Sequence, residues 1–267
     1  MKTDLFESAK ACLQEDDVDR KIQRSINTVR SCKIGFELNI NDAGRCVKIG
    51  RPLKPTLVSP QILPKRGFAT RQSRMALVHA IAHIEFNAIN LAWDAIYHFQ
   101  QMPEDYYVDW LRVAEDETRH FVLLRTHLNK HAYDYGDFDA HDSLWKMAGL
   151  TVDDVLHRMA VVPRVLEARG LDVTPAMINK FTSVNEFKIA ETLKIIYREE
   201  IEHVRIGNKW FRHVCEQRGL DAENTFIKLI RQYHLDGIRG SINREARKEA
   251  GFSERELNFL QPGKAKI

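Results

Sequence analysis

The sequence is poor in cysteine: Cys12, Cys32, Cys46 and Cys215 are far apart and form no Cys-x-x-Cys. That spacing argues against a disulfide framework or a thiolate metal site and leaves reduced thiols as the expectation. A strong excess of one charge is also missing. Lys and Arg number 40 against 37 Asp and Glu, a formal net charge of +3, so composition indicates no broad phosphate-binding surface. The N-terminal Met1-Lys2-Thr3-Asp4-Leu5-Phe6-Glu7 has acids where a signal peptide needs an uninterrupted apolar region. No later segment reads as long and apolar enough to span a bilayer. The expectation is a soluble, cytoplasmic protein. No linker divides the chain, so residues 1–267 are expected to form a single domain.

What is present is apolar periodicity at helical spacing, which predicts an all-α fold. Residues 3–31 read as one or two amphipathic helices, broken near Glu15-Asp16-Asp17. From Gly35 to Thr70 the pattern changes. Phe36, Leu38 and Ile40 alternate, Asn41-Asp42-Ala43-Gly44 is turn-like, and Pro52, Pro55, Pro60 and Pro64 forbid a continuous helix. This stretch is expected to be an extended strap. Its Arg51, Lys54, Lys65 and Arg66, with Arg71 and Arg74 after it, could form a basic rim, although a solvated face explains them more simply.

Four long helices are expected next, over 71–218. The first runs from about Arg71 to Gln100, and the second from Pro103 to about His131. A long connection containing Tyr135-Gly136-Asp137 and a short helix near Trp145 follows. The third helix, N-capped by Thr151, is kinked at Pro163 and stops at Gly170. Thr174-Pro175 starts a short helix. The fourth long helix runs from about Glu186 to Arg218 and is ended by Gly219. A C-terminal extension over 219–267 adds a helix from Ala222 to His234 and a short one capped by Ser253, stopping before Pro262, with a frayed tail at Lys264-Ala265-Lys266.

Two tetrapeptides stand out. Glu117-Thr118-Arg119-His120 lies on the second long helix and Glu200-Ile201-Glu202-His203 on the fourth, and each places a carboxylate and an imidazole on one helical face. Each is preceded by a helix with one carboxylate in apolar surroundings. Glu85 lies 32 residues before Glu117, and Glu167 lies 33 before Glu200. Position 88 is Ala and position 170 is Gly, so neither earlier helix repeats the Glu-x-x-His. Four Glu and two His form the ligand complement of a carboxylate-bridged two-metal site in a four-helix bundle, where four negative charges balance two divalent ions.

Other residues weigh less. Glu191 is nine residues from Glu200, roughly 14 Å along one helix, too far to replace Glu167. Glu115 and Glu202 point away from the neighbouring ligands. Asp116 and Glu199 could accept the outward N–H of a ligating histidine; ordinary ion pairs would account for them equally well. Tyr197 and Trp110 fall on the ligand faces, where plain packing is the simpler reading. His79 and His83 have i,i+4 spacing without the Glu of a zinc-protease motif and read as core histidines or as support behind the ligands.

Several longer strings resemble the ferritin-like "domain of unknown function 455" family. They are Ala80 to Glu85, Asp109-Trp110-Leu111, Glu117 to Phe121, Tyr135-Gly136-Asp137, Val162 to Asp172, Glu200 to Val204, Gly50-Arg51-Pro52 and Ala250 to Ser253. The resemblance spans nearly the whole chain. It implies a ferritin-like bundle with the long crossover between second and third helices, a two-metal site, and Glu167 among its ligands. Glu199 departs from the Asp expected of the family at that position. It implies no particular reaction.

The ligand set predicts an oxygen-activating oxidoreductase holding two metal ions, iron first and manganese second, with Glu85, Glu117, His120, Glu167, Glu200 and His203 as both metal ligands and catalytic residues. Dioxygen and a small organic molecule are the expected partners, and a monomer or dimer the expected state. A distant likeness to ferritin-like tRNA hydroxylases adds RNA as a further substrate class, against which the near-neutral charge argues. The alternatives are an iron-storing ferroxidase and a helical binding protein with a structural metal site.

Overall fold

The helices begin where short polar side chains can satisfy the free N–H groups of a first turn. Asp4 accepts from Glu7 N ahead of α1 (Leu5–Gln14), and Asp17 from Arg20 N ahead of α2 (Val18–Ile34). Thr70 and Ser73 bond reciprocally at the head of α3 (Arg71–His98). The structure, a computed structural model, describes residues 2–40, 48–64, 66–235 and 240–261. The expected turn at Asn41 to Gly44, Cys46, Lys65, Pro262 and the tail at 264–266 lie outside them. Among the described residues the protein is predominantly helical. The only strands there are β1 (Thr3–Asp4) and β2 (Phe36–Glu37), paired in parallel.

Two compact units divide the chain, Met1–Lys146 and Met147–Ile267. In the first, α1 packs on α3, α2 packs on α4 (Glu104–Lys130), and α3 and α4 pack along their lengths. The strap lies against this unit: Leu57 forms a bridge with Ala140, and a single 3-10 turn spans Pro60–Ile62. Its cations bond nearby acceptors. Arg51 pairs with Asp142 at 2.8 Å, Arg66 donates to Asp139 O, and Arg74 donates to Phe68 O. α3 is long and apolar enough to cross a membrane by length and composition, which corrects the expectation that no segment is; 78% of the qualifying window is buried inside the protein.

The chain enters the second unit through α5 (Ser143–Leu150). Thr151 does not cap the next helix as expected. Its hydroxyl donates back to Ala148 O and accepts from Arg158 Nε, while Asp154 caps α6 (Val155–Val161) through Leu156 N. The kink expected at Pro163 is a π-helical segment, Val162–Glu167. Proline lacks an N–H and crowds the carbonyl of the preceding turn, and a wider turn relieves both. The expected stop at Gly170 is not there either: α7 (Ala168–Ser183) runs on through Gly170 and Pro175. A glycine ends a helix by adopting φ > 0. Gly219 does so at +64°, closing α8 (Phe187–Gln217), and Gly170 stays helical. The π segment, α6 and α7 all pack on α8; α9 (Ala222–Gln232), α10 (Arg244–Glu249) and α11 (Glu254–Leu260) complete this unit.

Candidate metal centre

In the first unit, α3 and α4 bring a lone glutamate to a Glu-x-x-His. Glu85 is 5% exposed, Glu117 1% and His120 0%. His120 Nδ1 lies 3.2 Å from Glu85 Oε2 and 3.6 Å from Glu117 Oε2. Each of the three offers one ligand atom, and these lie within 4.8 Å of one another. Two buried carboxylates and an imidazole so close together are a donor set that could hold a metal ion.

In the second unit, α8 holds the other Glu-x-x-His. Glu200 Oε1 lies 3.4 Å from His203 Nδ1, with the side chains 12% and 1% exposed. Glu167 is half-buried at the end of the π segment. Single-turn π geometry often marks functional positions because it shifts a side chain's direction relative to a regular helix. A fully buried cation fixes this segment. Arg164 donates to Asn208 Oδ1 at 2.7 Å and to Glu256, and its guanidinium lies 3.9 Å from the ring centre of Phe226 and 4.3 Å from that of Phe211.

The remaining sequence candidates take the following places. Glu191 pairs with Lys194 at 2.7 Å, Glu115 with Lys33 at 2.7 Å, and Glu202 with Arg205. Asp116 accepts from Arg119 on its own helix, and Glu199 is half-buried on α8. Tyr197 OH accepts from Asn243 Nδ2 at 2.9 Å, and Trp110 packs beside Tyr106. His83 Nδ1 meets Tyr135 OH at 2.8 Å, and its Nε2 lies 3.2 Å from His141 O. His79 Nε2 accepts from Gly136 N at 2.9 Å. Burial pulls both imidazoles down to about 4, so at neutral pH they are uncharged core groups. Tyr135-Gly136-Asp137 thus closes the loop over these histidines. Burial also pushes the Cys12, Cys32 and Cys215 thiols up to about 11, leaving little thiolate for nucleophilic chemistry.

A family model described as "Protein of unknown function (DUF455)" matches residues 14–258. The chain belongs to the DUF455 family. An uncharacterised protein of Haemophilus influenzae is 47% identical over 216 residues, covering 78% of this chain and 75% of the relative. No solved structure matches. In this DUF455 chain, one pairing escaped the sequence reading: His127 and His131 near the end of α4, whose ring centres lie 4.6 Å apart. Their i,i+4 spacing was the available signal.

Proposed function

We propose that this DUF455 protein is a metal-dependent oxidoreductase that holds two metal ions, iron before manganese, in a ferritin-like arrangement of its long helices. Glu85, Glu117, His120, Glu167, Glu200 and His203 supply the ligands. The observation that carries the reading is the gathering of buried Glu85, Glu117 and His120, whose ligand atoms lie within 4.8 Å of one another, a carboxylate and imidazole donor set suited to a metal ion. The matching Glu-x-x-His on α8 supplies an equivalent second donor pair.

Bound at these residues, two reduced ions would supply electrons for the reduction of dioxygen, becoming oxidised themselves, and an external reductant would restore them for the next turnover. The chain's own part would be to hold the ions through the imidazoles and carboxylates of these residues and to keep bulk water away from buried Glu117 and His120. Glu167 is the ligand placed to shift, because it ends the π segment rather than standing in a regular helix. A small molecule is the favoured substrate class. RNA ranks second because 40 basic against 37 acidic residues provide no broad phosphate-binding charge.

The test is anaerobic loading with ferrous iron, metal analysis, and then exposure to oxygen while absorption is followed. About two metals per chain are expected from the ligand count, with an absorption band that develops only with oxygen. The Glu117→Ala/Glu200→Ala variant should lose most of this metal. Parental metal content in that variant would overturn the site assignment, and loading without any oxygen response would overturn the oxidoreductase reading.

A further inference from the structure

We infer that His127 and His131 form a second, nitrogen-rich site for a late first-row divalent ion such as zinc or copper(II). The inference does not depend on the carboxylate centre being a metal site. The two residues lie one turn apart on one face of α4, with His127 buried and His131 half-buried at the helix end. Their rings stand 4.6 Å apart at 46° between planes. One nitrogen of each lies within 4.8 Å of the other's. Two nitrogens bound to a single tetrahedral ion at about 2.1 Å stand about 3.4 Å apart, so modest ring rotations close the chelate.

The C-terminal end of α4 carries a partial negative charge, which Arg71 already meets by donating to His131 O at 3.1 Å, so the two imidazoles alone are what favour a further cation here. His131 is the C-cap of α4, held to its last turn by His131 N donating to Leu128 O at 2.8 Å. Imidazole ligands suit zinc and copper(II), whereas the carboxylate-rich group around His120 suits harder ions. His120, Leu124, His127 and His131 follow one stripe of α4, and seven residues separate His120 from His127, roughly 10 Å along the axis. The second ion would therefore be distinct from any ion held by Glu85, Glu117 and His120.

The test uses the full chain stripped of metal and titrated with copper(II), read by electron paramagnetic resonance, and with zinc against a competing indicator. The parent should show copper coupled to imidazole nitrogens and one zinc equivalent that His131→Gln weakens at least tenfold. His131 is half-buried at a helix end, so this variant should keep the parental far-UV circular dichroism. The Glu85→Gln/Glu117→Gln variant should retain the equivalent that is sensitive to His131. If zinc affinity and the copper nitrogen signal are the same with and without His131, the second site is refuted. Loss of the His131-sensitive equivalent in Glu85→Gln/Glu117→Gln would also refute it as a separate site.

Discussion

At the residue scale, the interior holds polar groups that meet burial in different ways. Lys21 is fully buried, and its ammonium donates to Cys12 O at 2.9 Å, Leu13 O at 3.1 Å and Asn90 Oδ1 at 2.7 Å. It closes the C-terminal end of α1 from inside the protein, and burial lowers its pKa to about 8. His79 achieves burial the opposite way, by staying neutral. Its folded pKa of about 4 lies below the ordinary 6.5, through burial first and then the neighbouring His83. Between those values the unfolded chain binds the proton and the folded chain does not, so stability rises with pH across that window. The contribution is complete above pH 6.5 and is lost as pH falls toward 4, at most about 3 kcal/mol. Urea midpoints measured at pH 7, 6 and 5 should fall more steeply for the parent than for His79→Gln. Parallel slopes would show that this histidine does not titrate as the structure implies.

At the element scale, the π segment and α8 are fitted to one another. A Cβ on Gly207 would come within 2.4 Å of Pro163 Cβ, so the proline that opens the π turn packs directly on the backbone of α8. The same stretch of α8 holds Glu200 and His203, so a disturbance here acts on the helix that carries two of the proposed ligands as well as on stability. Gly207→Ala should cost about 1–3 kcal/mol through overpacking. In a Pro163→Gly background the cost should shrink, because both clashing atoms, Cβ and Cγ, are gone. Additive effects in this double-mutant cycle would mean that something other than Pro163 demands glycine at 207.

At the scale of the whole molecule, each unit holds one copy of the sequence's repeated theme. The first has the lone glutamate and Glu-x-x-His on α3 and α4, and the second has them on the π segment and α8. If the proposed ions draw ligands from both copies, metal stabilises the folded chain by mass action, about 2.7 kcal/mol at a free concentration one hundred times Kd. For a chain of this size that corresponds to a Tm several degrees higher than in chelator. Calorimetry with and without chelator measures this, and identical transitions would remove the metal from the stability of the fold. Size-exclusion chromatography of the loaded protein separates the enzyme reading from storage. A monomer or dimer is expected, and a cage of many subunits would favour iron storage.

Much of this protein is legible without coordinates because its signals are local. Apolar spacing marks the long helices, Ser253 marks the start of α11, Gly219 marks the end of α8, and Glu117, His120, Glu200 and His203 share helical faces by spacing alone. Tertiary structure decided what depends on distant partners. The proline and glycine between Val162 and Gly170 suggested a kink and a stop, but packing on α8 carries the chain through a π turn and onward as helix. Nothing in the sequence near Arg164 marks it as buried; Glu256, 92 residues later, and the rings of Phe211 and Phe226 enclose it in the fold. Backbone preferences act over a few residues and are written in order along the chain. Burial, charge pairing and the neutrality of His79 come from groups brought together only by the fold.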